Sequence, residues 1–321
     1  MSRTVSDKEL AKLQKRIWRT FERAKKEMTA ELSDFMEQFK ALDKKKRTQL
    51  EAGDLTEEAY KTWLRNQVFQ SELMKAKIEN LTQISASATS TAYKLARDAQ
   101  YGVFAYGANH SYYEIERQMG ASVNLTLYNT ETVKKLLKEN PRLVPNKRIK
   151  SESVRTYDAR KFNAYVLQGI IQGKSVYDIA TAALNGMADT ERRWAMNNAI
   201  TALTSAENAG ALQQMRNAKA MGIETLKRWN CTLDMRTRET HRLLDQETEL
   251  LDEPFEVEGY EIQYPGDPNA APEMVYHCRC HLSSVFVKYP RVNFARRDNE
   301  TKEVVGDVTW QEWYEKKVKS T

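Results

Sequence analysis

The chain has 321 residues, of which 41% are hydrophobic and 29% charged, and its formal net charge is +6. This length suggests about two domains of roughly 150 residues each, and the mean hydropathy of −0.70 indicates much exposed or extended helix. No run of about 18 apolar residues occurs, which excludes a membrane-spanning helix. The N-terminus lacks the apolar stretch of a secretory signal. Three cysteines without such a signal favour a reducing compartment over a disulfide framework.

Residues 1–107 are expected to form a long helical hairpin. Apolar residues recur every three or four positions in the first segment, which predicts an amphipathic helix ending near the basic run 43–47. The residues of this stripe are Leu10, Leu13, Ile17, Phe21, Ala24, Met28, Leu32, Phe35, Phe39 and Leu42. Asp54 with Glu57 has the spacing of a helix N-cap, and the second helix should run on until Gly102 and Gly107 interrupt it. The stripe is buried either within the chain or against a partner.

Residues 108–222 are expected to form a helical middle domain. One helix should begin at Thr130 and stop at Pro141, and another should open at Asp158 and end at Gly173. Ser175 to Asp178 has the spacing of a capping box. A longer helix is predicted from Asp189 to about Met221, with Gly222 as its stop. Its buried face is predicted to carry Trp194, Ile200, Leu203 and Leu212.

Residues 223–289 differ in character and predict a small α+β domain, followed by a tail over 290–321. Residues 226–233 read as a strand, Thr237 as the cap of a short helix, and residues 255–287 alternate like short strands. A unit of about seventy residues has little room for a large core, so a metal would help to hold it together. The fold class is therefore mainly α with a zinc-stapled α+β unit near the C-terminus.

All three cysteines and three of the four histidines lie between residues 231 and 281. Zinc is usually held by four nitrogen or sulfur ligands, and the candidate set is Cys231, His241, Cys278 and Cys280. On an extended chain residues i and i+2 share a face. Cys278 and Cys280 should therefore face one way, and the three residues on the other face should be His277, Arg279 and His281.

Other roles are open for these residues. Two buried cysteines and a hydrogen-bonded histidine would give the same pattern without a metal. Asp234 can orient His241 through the second ring nitrogen, pair with Arg279 or cap the short helix. A disulfide between Cys278 and Cys280 would close a strained ring. Four protein ligands would make a closed, structural zinc site without a catalytic position.

Five short segments, in order from Trp229 to Leu282, resemble the phage Mu F-type minor head protein (head morphogenesis) family. They are WNCTLDMRTRETH, LD, DEPF, PGDP and CRCHL; GKSVYDIATAAL, TSAENAGALQQM and VTWQEWYEKK are similar to neighbouring parts of that family. The resemblance gives as signature positions Asp234, Arg236, Thr237, His241, Cys278 and Cys280. The chain departs from the family at Gln246, where Gly is frequent, and at His277, where Asn is frequent. Cys231 is not a dependable family position.

The resemblance implies a minor structural protein of a tailed-phage head, without chemistry of its own. It would associate with the portal and the capsid interior and act in head morphogenesis and in genome packaging or delivery. The implied partners are the portal protein and the capsid or scaffold proteins. Packaged DNA is a further candidate partner because of the basic net charge alone. No membrane partner is expected. The implied location is the virion near the portal vertex, and the host cytoplasm during assembly. Some relatives carry toxin or ADP-ribosylating domains after this module, but about thirty residues after Val287 are too few for one.

Two other functions compete with this interpretation. A metal-dependent nuclease could use the Cys/His/Asp cluster beside basic residues, although thiol ligands suit a closed zinc site better than magnesium. A DNA-binding module would rest on the basic excess alone, because no groove-reading motif is recognisable.

Overall fold

The computed structural model describes residues 5–69, 72–144, 151–172, 174, 176–233, 235–286, 296–297, 304–305 and 310–319. The larger helices are α1 (Val5–Glu51), α2 (Glu57–Phe69), α3 (Glu72–Met119), α4 (Thr130–Glu139), α5 (Ser151–Ile171) and α6 (Val176–Ala220), with a 3-10 turn at Pro141–Leu143. The remaining elements are β1 (Thr225–Asn230), α7 (Glu239–Leu243), β2 (Thr248–Leu250), β3 (Phe255–Val257), β4 (Tyr260–Ile262), α8 (Pro272–Val275), β5 (His281–Phe286), β6 (Arg296–Arg297), β7 (Val304–Val305) and α9 (Trp310–Lys319). The chain is mainly α with a small sheet region near its C-terminus, as predicted. Among the described helices none has the length and apolar content that crossing a membrane requires.

Helix α1 continues through the basic run at which it was predicted to stop. Asp43 explains this, because its carboxylate accepts hydrogen bonds from Arg47 at 3.1 Å and from the Tyr60 hydroxyl at 2.5 Å. The lysines of the run therefore lie on the helix. The chain then turns at Gly53, whose φ is +80°. The N-cap of α2 is Thr56, whose hydroxyl accepts the N–H of Ala59 at 3.2 Å, and not the predicted Asp54.

Helix α3 passes through Gly102 and Gly107 without interruption, which corrects the predicted break. The glycine at 107 serves packing instead: a Cβ placed there would lie 2.0 Å from the carbonyl oxygen of Glu207 on α6. Gly210 on α6 has the reciprocal contact, because its Cβ would lie 2.2 Å from the carbonyl oxygen of Phe104. Here the two helix backbones approach too closely for any side chain.

Helix α5 begins earlier than predicted, and α6 joins two predicted helices into one. Because α5 starts at Ser151, Asp158 lies inside the helix and is fully buried, whereas the sequence predicted it as the first residue. Helix α6 is one helix of 45 residues where two were predicted. Trp194, predicted to be buried, is 42% exposed. Gly173 and Ser175, the predicted stop and start, lie outside the described residues.

The chain divides into two compact units, and neither corresponds to one continuous segment. Unit 1 contains residues 1–12, 96–146 and 197–321, and unit 2 contains residues 13–95 and 147–196. The division falls within α1, α3 and α6. The predicted boundaries at 107, 222 and 289 stay predictions.

Unit 2 holds an apolar cluster to which helices α1, α2, α3, α5 and α6 contribute. Its large buried members include Met28, Leu32, Tyr60, Leu64, Leu81, Phe162, Val166 and Met187. The α1 stripe is buried within the chain, because five of its large residues are at most 2% exposed: Leu13, Ile17, Phe21, Met28 and Leu32. Leu42, at 50% exposed, does not belong to the buried stripe. The side chains of Phe35 and Phe39 lie outside the described residues.

Unit 1 contains the sheet and a second apolar cluster. The sheet has the order β2-β1-β5 with antiparallel neighbours, and β3 and β4 form a separate pair. The second cluster joins α9 to α3, since Trp313 packs with Tyr112 and Ile115 and its indole N–H donates to Glu116 at 2.6 Å. Lys317 also reaches Glu116, at 2.8 Å. The C-terminal helix is thus fixed to the end of α3 by apolar and charged contacts together.

Candidate metal centre

The strand register brings two of the three cysteines together. In the antiparallel pairing of β1 with β5, Asn230 lies opposite His281. Cys231, one residue beyond β1, and Cys280, one residue before β5, therefore lie at the same end of the sheet. Their sulfur atoms are 3.5 Å apart.

His241 reaches this end of the sheet from the short helix α7. Its Nε2 lies 3.0 Å from the carbonyl oxygen of Met274, and its Nδ1 lies 3.7 Å from the sulfur of Cys278 and 3.5 Å from that of Cys280. A carbonyl can only accept a hydrogen bond, so Nε2 carries the proton and Nδ1 presents its lone pair to the thiols. The ring packs edge-on against the indole of Trp229, with centroids 5.4 Å apart.

The ligand atoms of His241, Cys278 and Cys280 lie within 4.8 Å of one another, so this group can hold a metal ion. The three residues are 2%, 2% and 4% exposed. Cys231 is adjacent to the group without belonging to it, because its thiol donates to the carbonyl oxygen of His241 at 2.7 Å. Three of the four predicted ligands thus converge and the fourth lies beside them.

The pKa shifts of the centre run in both directions: His241 and Cys278 have lowered pKa values, whereas Cys231 and Cys280 have raised ones. Burial lowers the pKa of His241 to about 4, so the imidazole is neutral. The pKa of Cys278 lies below its usual value, first because of its hydrogen bond with Cys280. The pKa of Cys231 is raised, first by its hydrogen bond with Cys280 and then by burial, and the indole N–H of Trp229 opposes that rise. This N–H is buried without a hydrogen-bond partner of its own, and a negative sulfur would supply one.

The cysteine segment is held in place from α6, which the sequence did not reveal. Asn208, 1% exposed, donates to the carbonyl oxygen of Cys280 at 3.2 Å and accepts the N–H of Leu282 at 2.8 Å. Thr204 donates to the carbonyl oxygen of Cys278 at 2.9 Å. The polar residues within TSAENAG could have indicated this contact, because Asn and Thr that are buried on an apolar helix need hydrogen-bond partners.

Two of the signature residues outside the ligand group, Arg236 and Thr237, are described by the structure. The Thr237 hydroxyl donates to the carbonyl oxygen of Thr232 and does not cap α7, which corrects the predicted cap. Arg236 is exposed, and Asp234 lies outside the described residues. The carboxylate that supports Cys231 is Asp245, which accepts the Cys231 N–H at 2.8 Å. Asp245 is the second residue of the LD pair, so its position was visible in the sequence and its role was missed.

Two departures from the family pattern coincide with left-handed backbone. Gln246 has a φ of +71° and His277 a φ of +60°. Gly adopts this region at no steric cost, and Asn more readily than most residues, which explains why the family often has Gly and Asn there. His277 and His281 are both exposed. The two cysteines are buried, so the predicted separation of faces holds for the two histidines, whereas Arg279 between the cysteines is half-buried.

Comparison with known proteins finds sequence similarity across this centre. Residues 160–283 match the family model described as Phage Mu protein F like protein. The match covers less than half of the chain and contains His241, Cys278 and Cys280. The chain is also 26% identical over 229 residues to NAD(+)--arginine ADP-ribosyltransferase EFV of Enterococcus faecalis. That match covers 70% of this chain but 44% of the relative, so the chain spans less than half of the relative's length. No solved structure matches.

Proposed function

We propose that this chain is a minor structural protein of a tailed-phage head. The observation that carries the proposal is the family match over residues 160–283, which contains the whole His/Cys/Cys group. The finer parts of the proposal are association with the portal, a place in the capsid interior, and a role in head morphogenesis and in genome packaging or delivery. Capsid or scaffold proteins are further proposed partners.

The proposal includes a structural zinc ion at the His/Cys/Cys group. Nδ1 of His241 and the sulfurs of Cys278 and Cys280 would bind it, with Cys231 as the fourth ligand once its thiol leaves the His241 carbonyl. Imidazole and thiolate donors suit zinc and disfavour magnesium or calcium. When bound, zinc cross-links α7 to the segment before β5. The chain's own residues prepare this by fixing the His241 tautomer and the carbonyls of the cysteine segment.

A structural role is supported by the burial of the centre. A catalytic zinc keeps an open position for water or substrate, whereas these three residues are at most 4% exposed. The competing nuclease is therefore not the function that the site favours. Incubation of the purified chain with supercoiled DNA and Mg²⁺, Mn²⁺ or Zn²⁺ should leave the DNA intact. Cleavage abolished by His241→Ala would replace the structural proposal with the nuclease.

The transferase name of the relative raises a second test. We infer that the two proteins share the structural module and not the transfer reaction, because less than half of the relative is matched. The full chain, incubated with labelled NAD⁺ and an arginine analogue, should transfer no label. Transfer above that of a heat-inactivated control would make this chain an enzyme.

Head association is tested in the particle itself. Particles of a phage that encodes this chain should contain it at low copy number, and portal complexes from gently disrupted heads should retain it. The control is a tail protein of similar abundance, which should leave with the tails. Absence from intact particles would contradict the head proposal, while presence without retention on the portal would contradict only the portal assignment.

A further inference from the structure

Cys231 and Cys280 are neighbours across two antiparallel strands. The pairing of β1 with β5 sets Asn230 opposite His281, and the two cysteines are the next residues beyond this pair. Their sulfur atoms are 3.5 Å apart, and both thiols are free. The contact between the sulfurs is therefore a consequence of the strand register and does not depend on a metal.

Backbone hydrogen bonds show which kind of cross-strand pair the two cysteines form. The N–H and the carbonyl oxygen of Trp229 both bond on the β2 side, to Glu247 at 2.9 Å and to Gln246 at 2.8 Å. Two residues further on, the Cys231 N–H points to the same side, where it donates to Asp245 at 2.8 Å. Cys231 therefore occupies a non-hydrogen-bonded position relative to β5, and the Cα atoms of such pairs are about 4.5 Å apart. This separation lies within the range of about 4.4–6.8 Å that a disulfide spans.

The third cysteine does not compete for the Cys280 sulfur. A disulfide between Cys278 and Cys280 would close a strained ring. The Cys278 sulfur instead accepts the Cys280 N–H at 3.4 Å and lies 3.7 Å from Nδ1 of His241. Cys231 has to give up the hydrogen bond from its thiol to the His241 carbonyl, at 2.7 Å, before it can form a bond to Cys280.

Oxidation of the pair requires a two-electron oxidant, and a small disulfide such as oxidised glutathione supplies this chemistry. Cys231 is half-buried whereas Cys280 is 4% exposed, so the oxidant reaches Cys231 first. Attack of the Cys231 sulfur on the small disulfide gives a mixed disulfide and releases one small thiol. Attack of the Cys280 sulfur on Cys231 then closes the protein disulfide and releases the second small thiol. The two protons of the protein thiols leave with the two small thiols, which are the reduced products.

We propose that Cys231 and Cys280 form a reversible disulfide, and that this disulfide and a bound metal exclude each other. The Cys280 sulfur is one of the three converging ligand atoms, and a metal ligand has to be a thiolate. The metal would tie the segment before β5 to α7, whereas the disulfide ties it to the end of β1. The sheet end is thus cross-linked in either state. The exclusion rests on the proposed zinc site, but the disulfide rests on the strand register alone.

The first arm of the test oxidises the full chain, freed of metal by a chelator, with excess oxidised glutathione. Its hydrogen bond with Cys231 opposes the shift, but the hydrogen bond with Cys278 and burial raise the pKa of Cys280 to about 12. Exchange should therefore take hours. After an acid quench, alkylation in denaturant should modify one cysteine instead of three. Peptide mapping should find Cys231 joined to Cys280, and dithiothreitol should restore all three thiols.

Variants and an unfolded sample are the controls for this arm. Cys278→Ser should still form the disulfide, because its sulfur takes no part in the reaction. Cys231→Ser and Cys280→Ser should form no link between β1 and β5. The same oxidation in concentrated urea should scatter the links among the three possible pairs, since only the folded register selects one. If a variant fails to fold, mapping of the wild-type chain still decides.

The second arm starts from chain loaded with zinc alone and measures zinc and disulfide together. Oxidation should release about one zinc for each disulfide formed. Wild-type chain that keeps three free thiols, or links Cys278 instead, would overturn the disulfide. A disulfide that forms while the zinc content stays full would overturn the exclusion. Formation of the Cys231–Cys280 link in a chain that binds no zinc would contradict the zinc proposal and support the disulfide.

Discussion

The imidazole of His241 donates from Nε2 to the carbonyl oxygen of Met274 at 3.0 Å, and this hydrogen bond determines which nitrogen faces the cysteines. Fixing the tautomer by a backbone acceptor is a common way to orient a metal-binding histidine. We therefore expect ¹⁵N spectra of the purified chain to show a protonated Nε2 and a metal-shifted Nδ1. A protonated Nδ1 would contradict both the hydrogen bond and the ligand assignment.

Zinc content gives the next prediction. Chain purified without chelator should contain about one zinc, and Cys278→Ser with Cys280→Ser should remove it because both sulfurs belong to the converging group. His277→Ala is the control, since His277 is exposed and should not affect the metal. Cys231→Ser distinguishes a zinc site with three protein ligands from one with four. Weaker zinc retention in this variant would show that Cys231 is the fourth ligand. Full zinc content in the double variant would remove the zinc proposal.

The close approach of α3 and α6 predicts opposite effects at two glycines of one helix. Gly107→Ala should destabilise the chain by roughly 1–3 kcal/mol, because its Cβ would meet the Glu207 carbonyl at 2.0 Å. Gly102→Ala should stabilise it by about 0.5–1 kcal/mol, because a Cβ there meets nothing within 4 Å and alanine favours the helix. Unfolding in urea measures both. Equal effects at the two positions would mean that the backbones do not approach at Gly107.

Left-handed backbone predicts stabilising exchanges beside the centre. Gln246→Gly should raise the free energy of unfolding by about 1 kcal/mol, because a non-glycine residue at φ +71° is strained. His277→Asn should give a smaller gain, since asparagine tolerates that region better than most residues. The control is Gln263→Gly at a position with no positive φ, which should destabilise the chain because the Gln263 side chain accepts from Lys227 at 2.7 Å. Loss of stability in Gln246→Gly would contradict the strain argument.

Because the apolar stripe of α1 is buried within the chain, we expect substitutions in the stripe to lower its stability and not to block assembly directly. Ile17→Asp and Phe21→Asp should each cost at least the roughly 2–5 kcal/mol of a core truncation, because these residues are 0% and 2% exposed. Trp18→Asp is the control on the same turn, since Trp18 is 48% exposed. Thermal unfolding should separate the two classes. Normal stability of the Ile17 and Phe21 variants, with loss of portal binding, would instead assign the stripe to an external partner.

The sequence allowed prediction of features that depend on local pattern. The strand β1, the turns at Gly53 and Gly222 and the shared face of Cys278 and Cys280 follow from alternation and from glycine's access to positive φ. Features that depend on distant partners were missed. Asp is a residue type that often caps helices, but α5 begins at Ser151, so Asp158 lies inside the helix with a buried side chain. In the sequence, Gly107 predicts a helix end. The structure shows that glycine is needed there because the α6 backbone approaches it closely.

If the His/Cys/Cys group holds zinc as proposed, the strained turns beside it have a consequence for how such a chain can evolve. Exchanging Gly for Gln at 246, or Asn for His at 277, costs on the order of 1 kcal/mol, whereas a structural zinc contributes about 10–16 kcal/mol in small zinc-binding peptides. A unit fastened by a metal can therefore accumulate unfavourable substitutions in its turns while its ligands remain fixed. Sequence drift in this lineage should be greatest at the rim of the centre and least at His241, Cys278 and Cys280.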